Sequence, residues 1–201
     1  MLIQTLAELR GLFATPTERA VKKQIPALDE HCRSFIALSP FVVLSSCDLA
    51  FNLDASPRGG APGFVKVSVE GHLLIPDAPG NNRLDSFENI VDTGRVGLLF
   101  LIPGFDETLR VNGAAVLSTD ETDIRSCTTE RRTPKLVIRV TPEAAYLHCA
   151  KAFLRSRLWS EAARAERTAL PTAGLMISNQ SGIHAPPETR EDMERRYAPD
   201  L

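Results

Sequence analysis

Apolar positions along the chain change their spacing near residue 40. Before it they recur at helical intervals. Leu2, Leu6 and Leu9 share one face, and Thr17 followed by Glu18 offers a second helix start. Asp29 precedes a third helical pattern in which Leu28, Cys32, Phe35 and Ile36 gather on one side. Ser39–Pro40 ends that helix, because the residue before a proline avoids the helical region. Beyond it the pattern is that of strands. FVVLSS (41–46) is β-branched and apolar, and DLAFNLDASPRGGAPG reads as a long loop. FVKVSV (64–69), the Glu70–Gly71 turn and HLLIP (72–76) make an antiparallel hairpin with Val65, Val67 and Val69 on its apolar face. A short helix follows, with Leu84, Phe87 and Ile90 or Val91 on one side. VGLLFLI (96–102) reads as a buried strand, and Pro103–Gly104 turns the chain into TLRVNGAAVLS (108–118). A polar helical stretch (119–130) leads to two further strands, KLVIRV (135–140) and AAYLHC (144–149). Residues 150–167 suit a helix, and the polar tail from 178 to 201 reads as an arm or a disordered segment.

Short strands joined by turns too short for crossover helices exclude a doubly wound sheet. They predict a mainly β fold with flanking helices, an antiparallel barrel or sandwich. The expected organisation is a helical segment over 1–40 packing on a barrel, the barrel with its C-terminal helix over 41–160, and a helix or arm over 161–201.

Composition narrows this picture in three ways. A chain of 201 residues suits one sizeable domain, and a formal net charge of −2 supplies no global field for nucleic acid or an acidic membrane. No apolar run reaches the roughly 20 residues of a membrane span, and the N-terminus lacks a signal pattern, so a cytoplasmic protein is expected. Cys32, Cys47, Cys127 and Cys149 show no CxxC spacing, and the His31–Cys32 and His148–Cys149 neighbours point in different directions along a regular element. They read as reduced, partly buried thiols and not as metal ligands.

The stretch PDAPGNNRLDSFENI (76–90) carries more polarity than a turn requires. Asn82 suits an N-cap with Asp85 three positions later, but this leaves Asn81 and Arg83 unexplained. Arg83 stands at the positive end of a helix dipole, where a cation is disfavoured unless an anion lies there too. A solvated arginine and a phosphate site are both open on this stretch alone. Lys66 and Arg110 sit on the polar faces of two alternating strands, Asn112 beside Arg110, which is also how a half-buried sheet normally looks. Arg58 lies in the glycine-rich loop SPRGGAPG. Lys151, Arg155 and Trp159 follow at helical spacing, although a tryptophan packs more often than it stacks on a ligand. No acid–base pair, Ser-His-Asp arrangement or nucleophile motif emerges, so any catalysis would borrow its chemistry from a cofactor.

The run DASPRGGAPGFVKV…LLIPDAPGNNRLDSFENIVDTGRVGLLFLIPGFDETLRVNGAA, with HCAKAFLRSRLW after it, resembles the pyridoxamine 5′-phosphate oxidase-like family, in its branch of FMN-dependent flavin-nucleotide-binding proteins. The resemblance spans residues 28 to 160. It implies a six-stranded antiparallel split β-barrel and a homodimer with FMN at the subunit interface. Val65, Lys66 and Val67 fall on the strand whose backbone runs along the isoalloxazine, and Thr108 and Arg110 on the strand that supplies polar flavin contacts. Arg58, Asn81, Asn82, Arg83 and Ser86 are the expected phosphate holders, with Lys151 and Trp159 as further cofactor contacts. Where the oxidases have a Tyr-Thr and a Ser-Arg-Lys turn, this chain has Ile75–Pro76 and Asn81–Asn82–Arg83. The resemblance therefore implies FMN binding without implying pyridoxamine phosphate oxidation. The expected activity is an FMN-dependent oxidoreductase with hydride transfer at flavin N5. The alternative is a non-catalytic protein that binds, stores or senses flavin, haem or a deazaflavin.

Overall fold

The computed structural model describes residues 2–184 and 188–200. Two short helices open the chain, α1 (Leu6–Gly11) and α2 (Glu18–Lys22), capped by Thr5 and Thr17. Neither buries a residue. Helix α3 (Glu30–Leu38) starts where Asp29 Oδ1 accepts from the Cys32 amide at 2.8 Å, and it buries Cys32 and Ile36 against the sheet.

Seven strands form one antiparallel sheet in the order β2-β1-β5-β6-β7-β4-β3. They are β1 (Phe41–Cys47), β2 (Leu53–Gly59), β3 (Lys66–Val67), β4 (Leu73–Pro76), β5 (Arg95–Leu101), β6 (Thr108–Ser118) and β7 (Val137–His148). This is the mainly β architecture with flanking helices that the pattern predicts, with seven strands in place of the six that the resemblance implies. The additional strand is β2, expected as loop. Its Leu53, Ala55 and Pro57 are exposed and only its other face is half-buried, so it lacks the apolar alternation of an inner strand. The Asp48 carboxylate builds the turn before it, accepting from Ala50 N and Asn52 N at 2.8 Å each and from Asn52 Nδ2 at 2.7 Å. Pro57 is tolerated because β2 pairs only with β1.

The core lies on one face of the sheet. Val42 and Leu44 of β1, Val96, Leu98 and Phe100 of β5, Leu109, Val111 and Ala115 of β6, and Ile138 and Val140 of β7 are all buried there, with Ile36 of α3. The segments expected as two strands, 135–140 and 144–149, are one twelve-residue strand. Pro142 does not break it, because Pro142 stands opposite Gly113, where the β6–β7 register shifts. A Cβ on Gly113 would lie 2.0 Å from the Thr141 carbonyl oxygen, so only glycine admits this crossing.

The hairpin of β3 and β4 is present, with Lys66 opposite Leu74 and Val67 opposite Leu73, but it is shorter than its sequence pattern. Val65 is buried and Val67 packs on the core, whereas Val69, expected on the same face, sits at the exposed turn. Helix α4 (Asp85–Thr93) covers β1 and β2, burying Ser86, Asn89 and Ile90. Helix α5 (Glu121–Cys127) closes over Leu74 and Val137, and its buried Asp123 pairs with Arg139.

The expected helix over 150–167 is shorter: α6 (Lys151–Ser156), then 3-10 turns at Glu161–Ala163 and Arg167–Ala169. In the tail, α7 (Ala173–Ser181) and α8 (Arg190–Tyr197) are helical. Residues 185–187 and 201, part of the expected arm, lie outside the described residues. All four cysteines are free. Burial pushes the Cys32 and Cys127 thiols up to about 11. Among the described residues, no helix is long and apolar enough to cross a membrane, and no cluster of ligating side chains could hold a metal ion.

Candidate functional site

A polar cluster lies where α4 begins, over the β2 edge of the sheet. In β2, Asp54, Ser56 and Arg58 alternate with the exposed Leu53, Ala55, Pro57 and Gly59. Arg58 stands opposite the fully buried Val42, and Asp54 opposite the buried Ser46, so both side chains turn toward the core side beneath α4. From α4 comes Ser86, buried at 3% exposure. Its hydroxyl donates to Asp54 Oδ2 at 2.6 Å and accepts from Arg58 Nη2 at 3.2 Å. The Arg58 guanidinium lies 5.3 Å from the centre of the Phe87 ring. Its Nε is buried and has no hydrogen-bond partner among the described residues.

An unpaired buried N–H of a cation is costly, because that group has left water without recovering a bond. Burial also holds the Arg58 pKa below the usual guanidinium value, against the opposing pull of Asp54 and Asp77. The group stays charged, since an arginine side chain does not deprotonate in a protein. A strong, half-buried cation therefore has one donor unspent. Helix α4 adds its dipole at the same place, and no side chain caps its first turn. These donors suit an anion.

The turn leading into α4 differs from its expected form. Asn82 is not the N-cap: it adopts a left-handed conformation, φ 58°, and the cap position falls on Leu84, also left-handed at φ 62°. Asn81 Oδ1 accepts from the Arg83 amide at 3.1 Å. The turn therefore closes on its own amide side chain, and the helix starts two residues later than the sequence suggests. Arg83 extends into solvent and its Nε pairs with Asp85 Oδ2 at 2.9 Å. That hydrogen bond raises its pKa, with Asp54 adding a smaller pull. The unfavourable cation at a helix N-terminus is thus offset within the turn.

The remaining expected residues lie elsewhere. Val65 and Val67 turn their side chains to the core, leaving only their backbone for a ligand. Lys66 is exposed and its Nζ donates to the Gly63 carbonyl at 2.8 Å. Thr108 is buried and stands opposite His148. Arg110 stands opposite Leu99 and Tyr146, with its guanidinium 5.2 Å from the Tyr146 ring centre. Lys23 approaches the same ring at 5.5 Å, a cluster that sequence reasoning did not reveal. Lys151 is exposed on α6. Trp159 donates to the Phe105 carbonyl at 2.7 Å and stacks on Phe153 at 5.6 Å, which is a packing role.

Strand alternation divides these groups between two faces. Arg58 shares the core side with Val42 and Phe100, whereas Arg110 shares the opposite face with Leu99. Within one chain the structure joins Arg58 to Ser86 and Asp54, while Arg83 stays in the turn before α4, paired with Asp85. It does not bring Arg110, Lys151 or Trp159 to that cluster. Asp54, which completes it, gave no sequence signal, because its partner Ser86 is 32 residues away.

The family model described as pyridoxamine 5′-phosphate oxidase matches residues 28–149, more than half of the 201-residue chain. The chain belongs to this family. The match runs from the start of α3 to the end of β7 and so contains the whole sheet and the α4 cluster. Among solved structures, HupZ of Group A Streptococcus is similar at 14% identity over 60% of this chain and 93% of that one, with a TM-score of 0.49. Rv2991 of Mycobacterium tuberculosis is similar at 12% identity over 71% and 96%, with a TM-score of 0.46. General Stress Protein 26 of Bacillus anthracis is similar at 15% identity over 58% and 93%, with a TM-score of 0.42. No curated protein matches.

Proposed function

We propose that this family member binds FMN as a homodimer and serves as a flavin-dependent oxidoreductase. One observation carries the reading: the half-buried Arg58 guanidinium, bonded to Ser86 at 3.2 Å under the uncapped start of α4, keeps a buried Nε without a partner. A phosphate monoester supplies the acceptor which that N–H lacks, in a charge-assisted bond. Ser86 and the first amides of α4 lie beside it, and Arg83 is in the turn that leads into the helix. These residues fit the phosphate end of FMN.

The ring end draws on other parts of the chain. The backbone of Val65 leads into the short β3 edge strand of Lys66 and Val67, with Lys66 pointing away from the core. Thr108 and Arg110 belong to β6, and Arg110 faces away from Arg58. One small ligand reaches both arginines most simply if a second copy of the chain presents its own Arg110. This supports a dimer with the cofactor between subunits. When bound, the flavin supplies hydride transfer at N5. Arg58, Ser86 and Arg83 hold its phosphate, and Lys66 and Arg110 orient the ring or an anionic substrate by their charge.

The test is an absorption spectrum of the purified protein, then heat release and identification of the ligand, with mass by light scattering. Flavin bands, released FMN and a dimeric mass are expected. A colourless protein that fails to take up added FMN overturns the reading. NADH oxidation by the flavin-loaded protein at the rate of free FMN would leave the binding site standing and remove the oxidoreductase assignment.

A further inference from the structure

The acidic member of the α4 cluster is the residue that an anion site does not call for. Asp54 and Arg58 lie four residues apart on the same side of β2, with Ser86 from α4 between them. The Ser86 hydroxyl has one proton, and it goes to Asp54 Oδ2 at 2.6 Å, a distance typical of a bond to a carboxylate. The oxygen lone pairs face Arg58 Nη2. Ser86 is therefore oriented as an acceptor toward the cation, with no proton left for an incoming phosphate. Asp54 also places a negative charge where the phosphate would bring its own.

Resting on the FMN reading above, we infer that Asp54 is an internal counter-anion of the phosphate site. It holds Ser86, and through it Arg58, and sets the affinity for phosphate by competing with it. Binding turns the Ser86 hydroxyl from the carboxylate to the phosphate and places two anions around one guanidinium. The site then binds its ligand more weakly than its basic residues alone allow. Asp54 acts through Ser86 and Arg58, as a positioning residue with an opposing charge. Its reach extends to Arg83 too, whose pKa it helps to raise.

The substitution Asp54→Asn separates charge from shape, because the amide oxygen still accepts from Ser86 while the charge is gone. Removing one charge near an anion at a partly solvated site is worth on the order of tenfold in affinity. FMN titrated by calorimetry into apoprotein is expected to bind about tenfold tighter to Asp54→Asn than to the unaltered chain, and inorganic phosphate to compete correspondingly better. Asp54→Ser, which also lacks the charge, is expected to move the same way and serves if the asparagine variant does not fold. Weaker or unchanged FMN binding by the folded variants overturns the inference alone and makes Asp54 a structural strut. Failure of both FMN and inorganic phosphate to bind either the unaltered chain or the variants overturns the FMN reading and the inference together.

Discussion

Arg58 and Arg83 meet the start of the same helix, and the chain treats them differently. Arg83 is the one that draws attention in sequence, a cation placed against a helix dipole. In the fold its side chain is 73% exposed, and a carboxylate two residues on neutralises it at 2.9 Å. Arg58 sits in a stretch that reads as a flexible glycine-rich loop. In the fold it is on a strand, half-buried over Phe87, bonded to Ser86 and short of one partner. The local conflict is resolved locally, and the unresolved demand belongs to the residue whose neighbours come from far along the chain. An anion site is better sought where a charge is left partly unpaired by the tertiary structure than where a sequence rule is broken.

Replacing each arginine tests that difference directly. Arg58→Ala removes a half-buried cation with preset partners and is expected to weaken FMN binding by about 1.5–3 kcal/mol, the scale of a hydrogen bond to a charged group. Fluorescence titration of the apoprotein gives the number, and circular dichroism checks that the variant is folded. Arg58→Lys is expected to recover only part of the loss, since an ammonium cannot reproduce the guanidinium fork. Equal affinity in Arg58→Ala would move the anion site away from β2.

Arg83→Ala is expected to cost less, roughly a few-fold in affinity, because solvent and Asp85 already compete for that side chain. Its contribution should fade as salt is raised toward molar levels, where the screening length falls to about 3 Å. The Arg58 contribution should persist under the same conditions. Were Arg83→Ala the more damaging variant, the ranking of the two arginines would be inverted.

The sequence was most legible where apolar alternation was strong. Val42, Leu44, Leu98, Phe100, Leu109 and Val111 mark inner strands that are buried on the core face, and the fold follows their pattern. Edge elements were harder. In β2 the inward positions are Asp54, Ser56 and Arg58, so the alternation is there but carries polarity in place of hydrophobicity. In β7, the pattern divides into two strands around Pro142, whose accommodation depends on Gly113, a residue 29 positions earlier. The site divides in the same way. Arg58 and Ser86 were recognisable as phosphate-holding types, but their mutual bond spans 28 residues, and Asp54 became visible only through the sheet. The face on which each arginine lies also needed the strand register, because a loop and a strand turn side chains differently.

The strand that carries Arg58 depends on a titratable turn, whereas the turn that carries Arg83 closes on the neutral Asn81 side chain. Hydrogen bonds from the Asn52 side chain and backbone and from the Ala50 amide hold the Asp48 carboxyl below its ordinary value of 3.8. A carboxyl depressed in the fold contributes stability that is complete above its unfolded value and is lost as pH falls through the folded one. At neutral pH, Asp48→Asn should therefore melt slightly lower than the unaltered chain. That gap should stay constant from pH 7 to about pH 5 and close progressively below about pH 4 as the native carboxyl takes up its proton. Calorimetric melting temperatures across this range measure it. FMN affinity at neutral pH should barely move, since Asp48 supports the turn without reaching the cluster. A large loss of affinity in a folded Asp48→Asn protein would mean that Arg58 is positioned by the hairpin turn, and not by Ser86 and Phe87 as the contacts here imply.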